Sequence, residues 1–112
     1  MNAKLQHACF DCRKSWKIEI PQDIFWETYI EKEELQEVHP CPECGATLNV
    51  MGKNFRAPKK EKKKEWQLVE ELYRNGFRFM ENGHHGGSPL PTRLSELQEF
   101  LRENPSHPLR IK

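Results

Sequence analysis

The sequence predicts a small α+β fold in which short antiparallel strands around four cysteines are followed by two α-helices. Three observations lead to this prediction. Two C-x-x-C motifs, at residues 9–12 and 41–44, adjoin segments in which apolar and polar residues alternate, a pattern typical of half-buried strands. Two later segments repeat apolar residues every three or four positions, as amphipathic helices do. Of the 112 residues, 36% are hydrophobic and 31% are charged, so the apolar core must be small.

We predict two parts in the chain. Residues 1–52 form a four-cysteine unit that carries an aromatic and acidic insert at residues 21–37. Residues 53–112 form a basic linker and helix, a Gly-rich loop and a C-terminal helix. Because a chain with so few apolar residues builds only a modest core, a metal clip would help to stabilise it.

The first half of the cysteine unit has the pattern of a hairpin. Residues 3–8 predict one strand and residues 14–20 predict the next, because apolar and polar positions alternate in both. The apolar face of the second strand consists of Trp16, Ile18 and Ile20. Pro21 then ends this strand, since proline has no backbone N–H to donate to a neighbouring strand.

The second half repeats this plan around the other cysteine pair. Residues 35–39 lead into the pair and residues 46–51 lead out, so we expect two hairpin-like halves that hold one site between them. The insert between the halves fits either a short helix, which Asp23 would cap, or an extra strand. Its aromatic residues either extend the small core or form a platform on which bases stack. These aromatic residues are Phe25, Trp26 and Tyr29.

The second part predicts a helix over residues 59–75. Pro58 suits its first turn, where no N–H is needed, and Gly76 suits its C-terminal cap. The apolar stripe of this helix consists of Trp66, Val69, Leu72 and Tyr73. Residues 76–79 favour a short strand, and residues 82–91 form a loop rich in glycine and proline.

A last helix is predicted to begin at Thr92 or Ser95 and to end at Glu103. Ser95 and Gln98 have the spacing of a capping box. The apolar face of this helix consists of Leu94, Leu97, Phe100 and Leu101. We expect this face to pack on the stripe of the preceding helix, because neither helix can cover its own apolar side. We expect the tail after Ser106, HPLRIK, to be exposed or loosely strand-like.

The four cysteines have the spacing of a metal site. Each C-x-x-C turn directs two sulfurs to the same side, and two such turns supply the four thiolates of a closed tetrahedral centre. We therefore predict one structural zinc ion, and an iron-only site of the rubredoxin type, which has similar ligands, is the alternative. The predicted ligands are Cys9, Cys12, Cys41 and Cys44.

Cysteine usage also bears on the compartment. Two disulfides would require an oxidising environment, but the first residues, MNAKLQHAC, contain no apolar run of a secretory signal. No segment approaches the roughly 20 apolar residues that a membrane helix needs. We therefore expect a soluble, cytoplasmic protein that does not enter a membrane.

Two groups of motifs resemble known sequences. The cysteine-bearing halves resemble the zinc-ribbon superfamily, for which CPECG is a typical second knuckle. The whole chain is similar to small bacterial zinc-ribbon proteins without an assigned activity, through CFDCRKSWK, CPECG, MGKNFRAPKK, NGFRF and ELQEFLRENPSHPLR. This resemblance implies a zinc site and a bacterial cytoplasmic setting, and it implies no reaction.

A basic segment follows the cysteine unit. Residues 53–64 contain seven cations and a single carboxylate, Glu61. The seven cations are Lys53, Arg56, Lys59, Lys60, Lys62, Lys63 and Lys64. Lysines at the start of a helix oppose its dipole, which favours a functional reason for their presence, and RNA or DNA is the obvious partner. The alternative is a solvated linker whose lysines balance the acidic residues of the first part.

The sequence therefore favours a zinc-binding module that associates with nucleic acid. Phe25, Trp26 or Phe55 would stack on its bases. The second hypothesis is a protein-interaction adaptor, whose acidic first part docks a basic partner while the helix pair offers an apolar groove. No motif indicates a small-molecule substrate.

Four histidines lie where a site could use them. We expect no enzymatic activity, because nothing near His84 and His85 supplies a nucleophile or a carboxylate. His7 and His39 flank the cysteine pairs. Because four thiolates already complete a tetrahedral site, we expect these two histidines to pack against it or to donate to a sulfur.

Overall fold

The computed structural model describes residues 3–80 and 87–111. Within them, an antiparallel sheet has the strand order β2-β1-β3 and contains β1 (Lys4–Cys9), β2 (Lys14–Glu19) and β3 (Asn49–Gly52). The α-helices of the described residues are α1 (Trp26–Glu31), α2 (Lys63–Arg74) and α3 (Leu97–Glu103). Short 3-10 turns occupy Glu33–Leu35 and Leu94–Glu96. The predicted small α+β class is confirmed, and the insert adds one helix to the two expected from the sequence.

The first hairpin forms as predicted and ends at the cysteines. Lys4 lies opposite Glu19 at one end of the β1–β2 ladder, and Cys9 lies opposite Lys14 at the other. The four residues between the strands form the turn that contains Cys12. The alternation of apolar and polar residues therefore sets a register that places the first cysteine pair at the tip of the hairpin.

The second half differs from the prediction. Residues 36–39 form no strand, and an isolated bridge between Pro40 and Thr47 closes the second cysteine turn. β3 pairs with the free edge of β1 instead, where Val50 lies opposite His7. This arrangement completes one continuous sheet, because β1 can form a ladder on both of its edges.

The insert forms a helix that extends the core. Tyr29 and Ile30 of α1 are fully buried and pack with Leu5 and Val50 of the sheet. The N-cap residue is Phe25 rather than the expected Asp23, and no side chain caps this end. The insert thus supplies apolar surface that the three short strands lack, as the core-extending interpretation predicts for Tyr29, but Phe25 is exposed and does not extend the core.

α2 begins later than predicted. The helix starts at Lys63 rather than near residue 59, and a separate turn precedes it, in which Lys62 N–H donates to Lys59 O at 2.9 Å. The indole N–H of Trp66 lies 3.1 Å from both Pro58 O and Lys59 O. These carbonyls bond to the indole instead of continuing a helical ladder, so Pro58 lies outside the helix.

The C-terminal end of α2 agrees with the prediction. Gly76 has a φ of 90°, which is favourable for glycine and strained for other residues. Its N–H donates to Tyr73 O at 3.0 Å, and Phe77 N–H donates to Leu72 O at 3.0 Å. This pair of bonds is a Schellman motif, which satisfies carbonyls that the last helical turn leaves free.

α2 buries two faces, whereas the sequence predicted one. Three of the four predicted stripe residues, Trp66, Val69 and Tyr73, pack on the sheet side and not against α3 as expected. Leu68 and Leu72 pack against α3 and its surroundings. The buried residues of this second cluster are Leu68, Leu72, Phe77, Leu97, Phe100 and Leu109. α2 lies between the sheet and α3. Trp66 and Leu68, which are two positions apart and point to different sides of the helix, are therefore both buried.

The C-terminal tail is packed and not exposed as expected. His107 and Leu109 are 4% and 3% exposed. Arg78 N–H donates to Leu109 O at 2.8 Å, and Ile111 N–H donates to Gly76 O at 2.7 Å. The tail therefore pairs with the extended segment after α2 through an isolated bridge, and the strand predicted at residues 76–79 does not form.

The start of the last helix also differs. A 3-10 turn precedes α3, and the carboxylate of Glu96 accepts from the backbone N–H groups of Thr92 and Arg93 at 3.3 and 3.2 Å. The capping role expected of Ser95 and Gln98 thus belongs to Glu96.

α2 spans 12 residues, and across the described ranges no helix combines the length and apolarity needed to cross a membrane.

Candidate metal centre and the basic segment beside it

The four predicted ligands come together in one cluster. Their Sγ atoms all lie within 4.8 Å of one another. Cys9 Sγ lies 3.6 Å from Cys44 Sγ, and Cys41 Sγ lies 3.9 Å from Cys12 Sγ. A tetrahedral ion with metal–sulfur bonds of about 2.3 Å requires sulfur–sulfur separations of roughly 3.8 Å. The cysteine cluster is therefore positioned to bind one metal ion with little rearrangement.

Matching backbone turns present the two cysteine pairs. Arg13 and Gly45, which follow the second cysteine of each pair, have φ angles of 54° and 79° in the left-handed region. In the second turn, Gly45 N–H donates to Cys41 O at 2.9 Å, and Cys41 N–H donates to Ala46 O at 2.6 Å. Glu43 N–H is directed at Cys41 Sγ at 3.4 Å, as expected for a turn that stabilises a thiolate.

The cluster is open to solvent on one side. Cys9 and Cys41 are 2% and 3% exposed and pack with Leu48. Cys12 is half-buried and Cys44 is exposed. Burial on one side keeps the sulfurs in place, and exposure on the other allows an ion to enter without opening the fold.

The thiols have unequal proton affinities before a metal binds. Hydrogen bonding to the Cys44 thiol, followed by burial, raises the pKa of Cys12 to about 12. Burial also raises the pKa of Cys41. Hydrogen bonds from the backbone N–H groups of Glu43 and Cys44 outweigh this effect and lower the pKa to about 7. Burial raises the pKa of Cys9. A cation would supply the positive charge that makes all of the ligands thiolates.

His7 and His39, each two residues before a cysteine pair, pack against each other. Their rings meet edge to face, with centroids 5.6 Å apart and an interplanar angle of 89°. His7 Nδ1 lies 3.0 Å from Leu5 O, to which it donates. Burial, and secondarily the proximity of His39, lowers the pKa of His7. Neither histidine joins the ligand cluster, so their role here is packing.

The basic segment lies on the surface. All seven of its cations are exposed, and none forms an ion pair with a carboxylate within residues 3–80 and 87–111. Lys53 Nζ lies 5.5 Å from the centre of the Trp26 ring. Phe55 is 3% exposed because it packs under Trp66 and Phe79, so the expectation that it stacks on bases is wrong.

A contact that the sequence did not predict ties the basic segment to the cysteine cluster. Arg13 Nε donates to Lys60 O at 2.8 Å. Lys14 and Glu43 form an ion pair between the two cysteine turns, and Lys60 is close enough to contribute to the lowered pKa of Glu43. The position of Arg13 offered a signal, because it follows Cys12 as Gly45 follows Cys44.

Comparisons of this chain with family models, with curated proteins and with solved structures found no match. The resemblance to zinc ribbons therefore has support from the cysteine cluster alone, which indicates a metal-binding module. His84 and His85 lie outside the described residues.

Proposed function

We propose that this protein is a zinc-stabilised module that binds RNA or DNA through its basic segment. The observation that carries the proposal is the tether between Arg13 and Lys60 O. It holds a run of exposed, unneutralised cations against the cysteine cluster, so that a metal-stabilised turn positions them. Cations presented in this way neutralise phosphates and release counterions, which drives binding to nucleic acid without regard to sequence.

Zinc is the proposed ion because it is redox-inert and common in sites of four thiolates. The four cysteines would fill all its coordination positions, so its role would be structural. We assign the chain a binding role and no reaction, and we place it in the bacterial cytoplasm.

The salt dependence of binding tests the proposal. If four of the cations contact phosphates at once, log affinity should fall against log salt with a slope of about −3 to −4. A variant with Lys59, Lys60, Lys63 and Lys64 changed to glutamine should show a much flatter slope. Binding of wild type and variant to random duplex DNA and to single-stranded RNA would be titrated at several salt concentrations.

A matched control has the same loss of charge elsewhere on the surface. Lys4, Lys17, Lys32 and Arg102 are all exposed and outside the basic segment. Their simultaneous change to glutamine should leave most of the slope intact. Equal slopes for the two variants, or no binding of wild type at low salt, would remove the proposal.

An adaptor is the second candidate. Phe25 and Val38 of the insert are 82% and 76% exposed, and apolar side chains on an acidic surface suit a protein partner better than a polyanion. This candidate would take precedence if binding to nucleic acid is absent.

A further inference from the structure

A cleft between the cysteine unit and the second half of the chain has the character of a ligand site. It has a volume of about 430 Å³. Its walls include Phe10, Glu33, Asn49, Tyr73, Arg74 and Arg78. We refer to it as the Arg78 cleft. It shares no cation with the basic segment, so it is independent of the proposed nucleic-acid interface.

Arg78 is the central feature of this cleft. Its side chain is 5% exposed. Nη1 donates to Tyr73 O at 3.0 Å and to Phe77 O at 2.9 Å, and the guanidinium lies 3.7 Å from the centre of the Tyr73 ring. These neutral contacts fix the group in one orientation. They satisfy N–H donors but supply no negative charge.

The counter-charge available to Arg78 is weak. Glu33 Oε1 lies 3.7 Å from Arg78 Nη2, which is beyond hydrogen-bond distance, and the Glu33 side chain is 74% exposed. Arginine stays protonated in proteins, and a buried charge is unfavourable unless an opposite charge meets it closely. Among residues 3–80 and 87–111, Nη2 therefore has no acceptor at hydrogen-bond distance, and it belongs to a fixed cationic side chain that lines the cleft.

The remaining walls suit a small anion. Arg74 contributes a second guanidinium, although Glu70 accepts from it at 2.7 and 3.0 Å. Phe10 meets the Tyr73 ring edge to face at 5.6 Å and gives the cleft an apolar side. A positively charged end beside an aromatic wall is the usual make-up of a site that orients a small ligand.

We propose that the Arg78 cleft binds a small molecule through an oxyanion, a phosphate or a carboxylate group. The oxyanion accepts from Arg78 Nη2 and displaces the exposed carboxylate of Glu33. Glu33 competes for this position and is not part of the site. A ligand of this kind would link the insert, the first cysteine turn and the end of α2, since each supplies a wall.

The test is a titration of the metal-loaded 112-residue chain with inorganic phosphate and, separately, with succinate. Two-dimensional NMR of backbone amides and arginine side chains reports the binding. We expect saturable shifts around residues 73–78 with at least one of the two probes. Saturation by phosphate alone identifies a phosphate site, and saturation by succinate alone identifies a carboxylate site.

Two neighbouring carboxylates provide a matched pair of variants. Glu33→Gln removes the competitor and should tighten binding about two- to fivefold, the range expected for a largely exposed ion pair. Glu34→Gln removes the same charge from the next residue, which has no ion pair with a described residue, and should change the affinity much less. Arg78→Lys, where it folds, should abolish saturation, because lysine cannot reproduce the stacked planar donor.

Other outcomes would overturn the proposal. One is the absence of saturation by both probes. Another is an equal effect of Glu33→Gln and Glu34→Gln, which does not depend on whether the Arg78 variant folds. The third is loss of binding in the variant with Lys59, Lys60, Lys63 and Lys64 changed to glutamine, since that result would place the anion on the basic segment.

Discussion

Arg13 occupies a backbone conformation that arginine seldom adopts. At a φ of 54°, its Cβ crowds the backbone at a cost of roughly 1–2 kcal/mol. Gly45 has the same place in the other cysteine turn without that cost. What arginine adds is a side chain that reaches Lys60 O. The structure thus retains strain at a residue whose contact joins the metal centre to the basic segment, and residues of this kind are candidates for function.

Replacing Arg13 with glycine should release the basic segment and leave the metal centre intact. Glycine adopts the same backbone angles freely, so the metal content should not change. The lost bond contributes about 1 kcal/mol, so amides of residues 59–64 should exchange with deuterium several-fold faster. Hydrogen-exchange mass spectrometry of the metal-loaded protein measures this, with Arg102→Gln as a control for loss of charge. Unchanged exchange in the glycine variant would show that Arg13 does not hold the segment.

At the scale of elements, local sequence patterns predicted the structure correctly, whereas features that depend on long-range contacts were not predicted. The hairpin of β1 and β2 follows from alternation within each strand, and the end of α2 follows from Gly76. The start of α2 depends on Trp66, whose indole N–H bonds to carbonyls seven and eight residues earlier. The packed tail depends on pairing with residues 76–79, more than 30 residues away in sequence. Neither contact leaves a periodic signal.

Trp66 holds the start of α2 through its packing and its indole hydrogen bonds. It is 2% exposed and contacts the sheet side of the core. Trp66→Ala should lower the free energy of unfolding by roughly 3–5 kcal/mol, as for other large core truncations. Trp66→Phe should cost less, about 1–2 kcal/mol, because an aromatic ring remains and the indole bond is lost.

Urea unfolding of the metal-loaded protein measures both changes. Gln67→Ala serves as the control, because Gln67 is the exposed neighbour of Trp66 on the same helix. A Trp66→Ala variant as stable as this control would mean that α2 is held by its contacts with α3 alone.

For the whole molecule, the sequence predicts the cysteine cluster better than any other part of the site. Each C-x-x-C turn is local, and two of them suffice to predict a shared centre. The Arg78 cleft was not predictable in this way, because its walls come from the first cysteine turn, the insert, β3 and the end of α2. The contact between Phe10 and Tyr73 joins the first cysteine turn to the end of α2, so a residue of a metal-binding turn also lines the cleft.

The fold as a whole should therefore depend on the metal, and the dependence should have a defined direction with pH. In the metal-bound protein all four sulfurs are thiolates, whereas the thiols of the unfolded chain bind protons at neutral pH. The unfolded state binds more protons, so stability rises with pH and falls on acidification.

The metal-free chain behaves differently between pH 7 and 5. Cys41 has a lowered pKa of about 7, so its thiolate stabilises the fold above pH 7. This stabilisation is lost as pH falls through 7. Cys12 has a raised pKa of about 12, so its protonated thiol stabilises the fold at every pH below the ordinary pKa of 9.0. This stabilisation is lost only as pH rises from 9.0 towards 12. Between pH 7 and 5, Cys12 therefore leaves the stability of the metal-free chain unchanged, and Cys41 removes only the small remainder of its contribution, just below pH 7.

We expect one equivalent of metal per chain by elemental analysis, and a melting temperature that is higher with metal than after treatment with a chelator. The difference between the two should shrink steadily from pH 7 to pH 5, because protons displace the ion from all four thiolates, whereas the metal-free protein loses only the small remainder that Cys41 contributes. Titrating groups far from the cysteines affect both forms alike and cancel in the difference. Thermal unfolding at half-unit pH intervals, with and without chelator, provides the measurement, and Cys44→Ser should behave as the metal-free form does.

A chelator that leaves the melting temperature unchanged at pH 7, or a difference that is constant down to pH 5, would show that the four cysteines do not hold a metal that stabilises the fold.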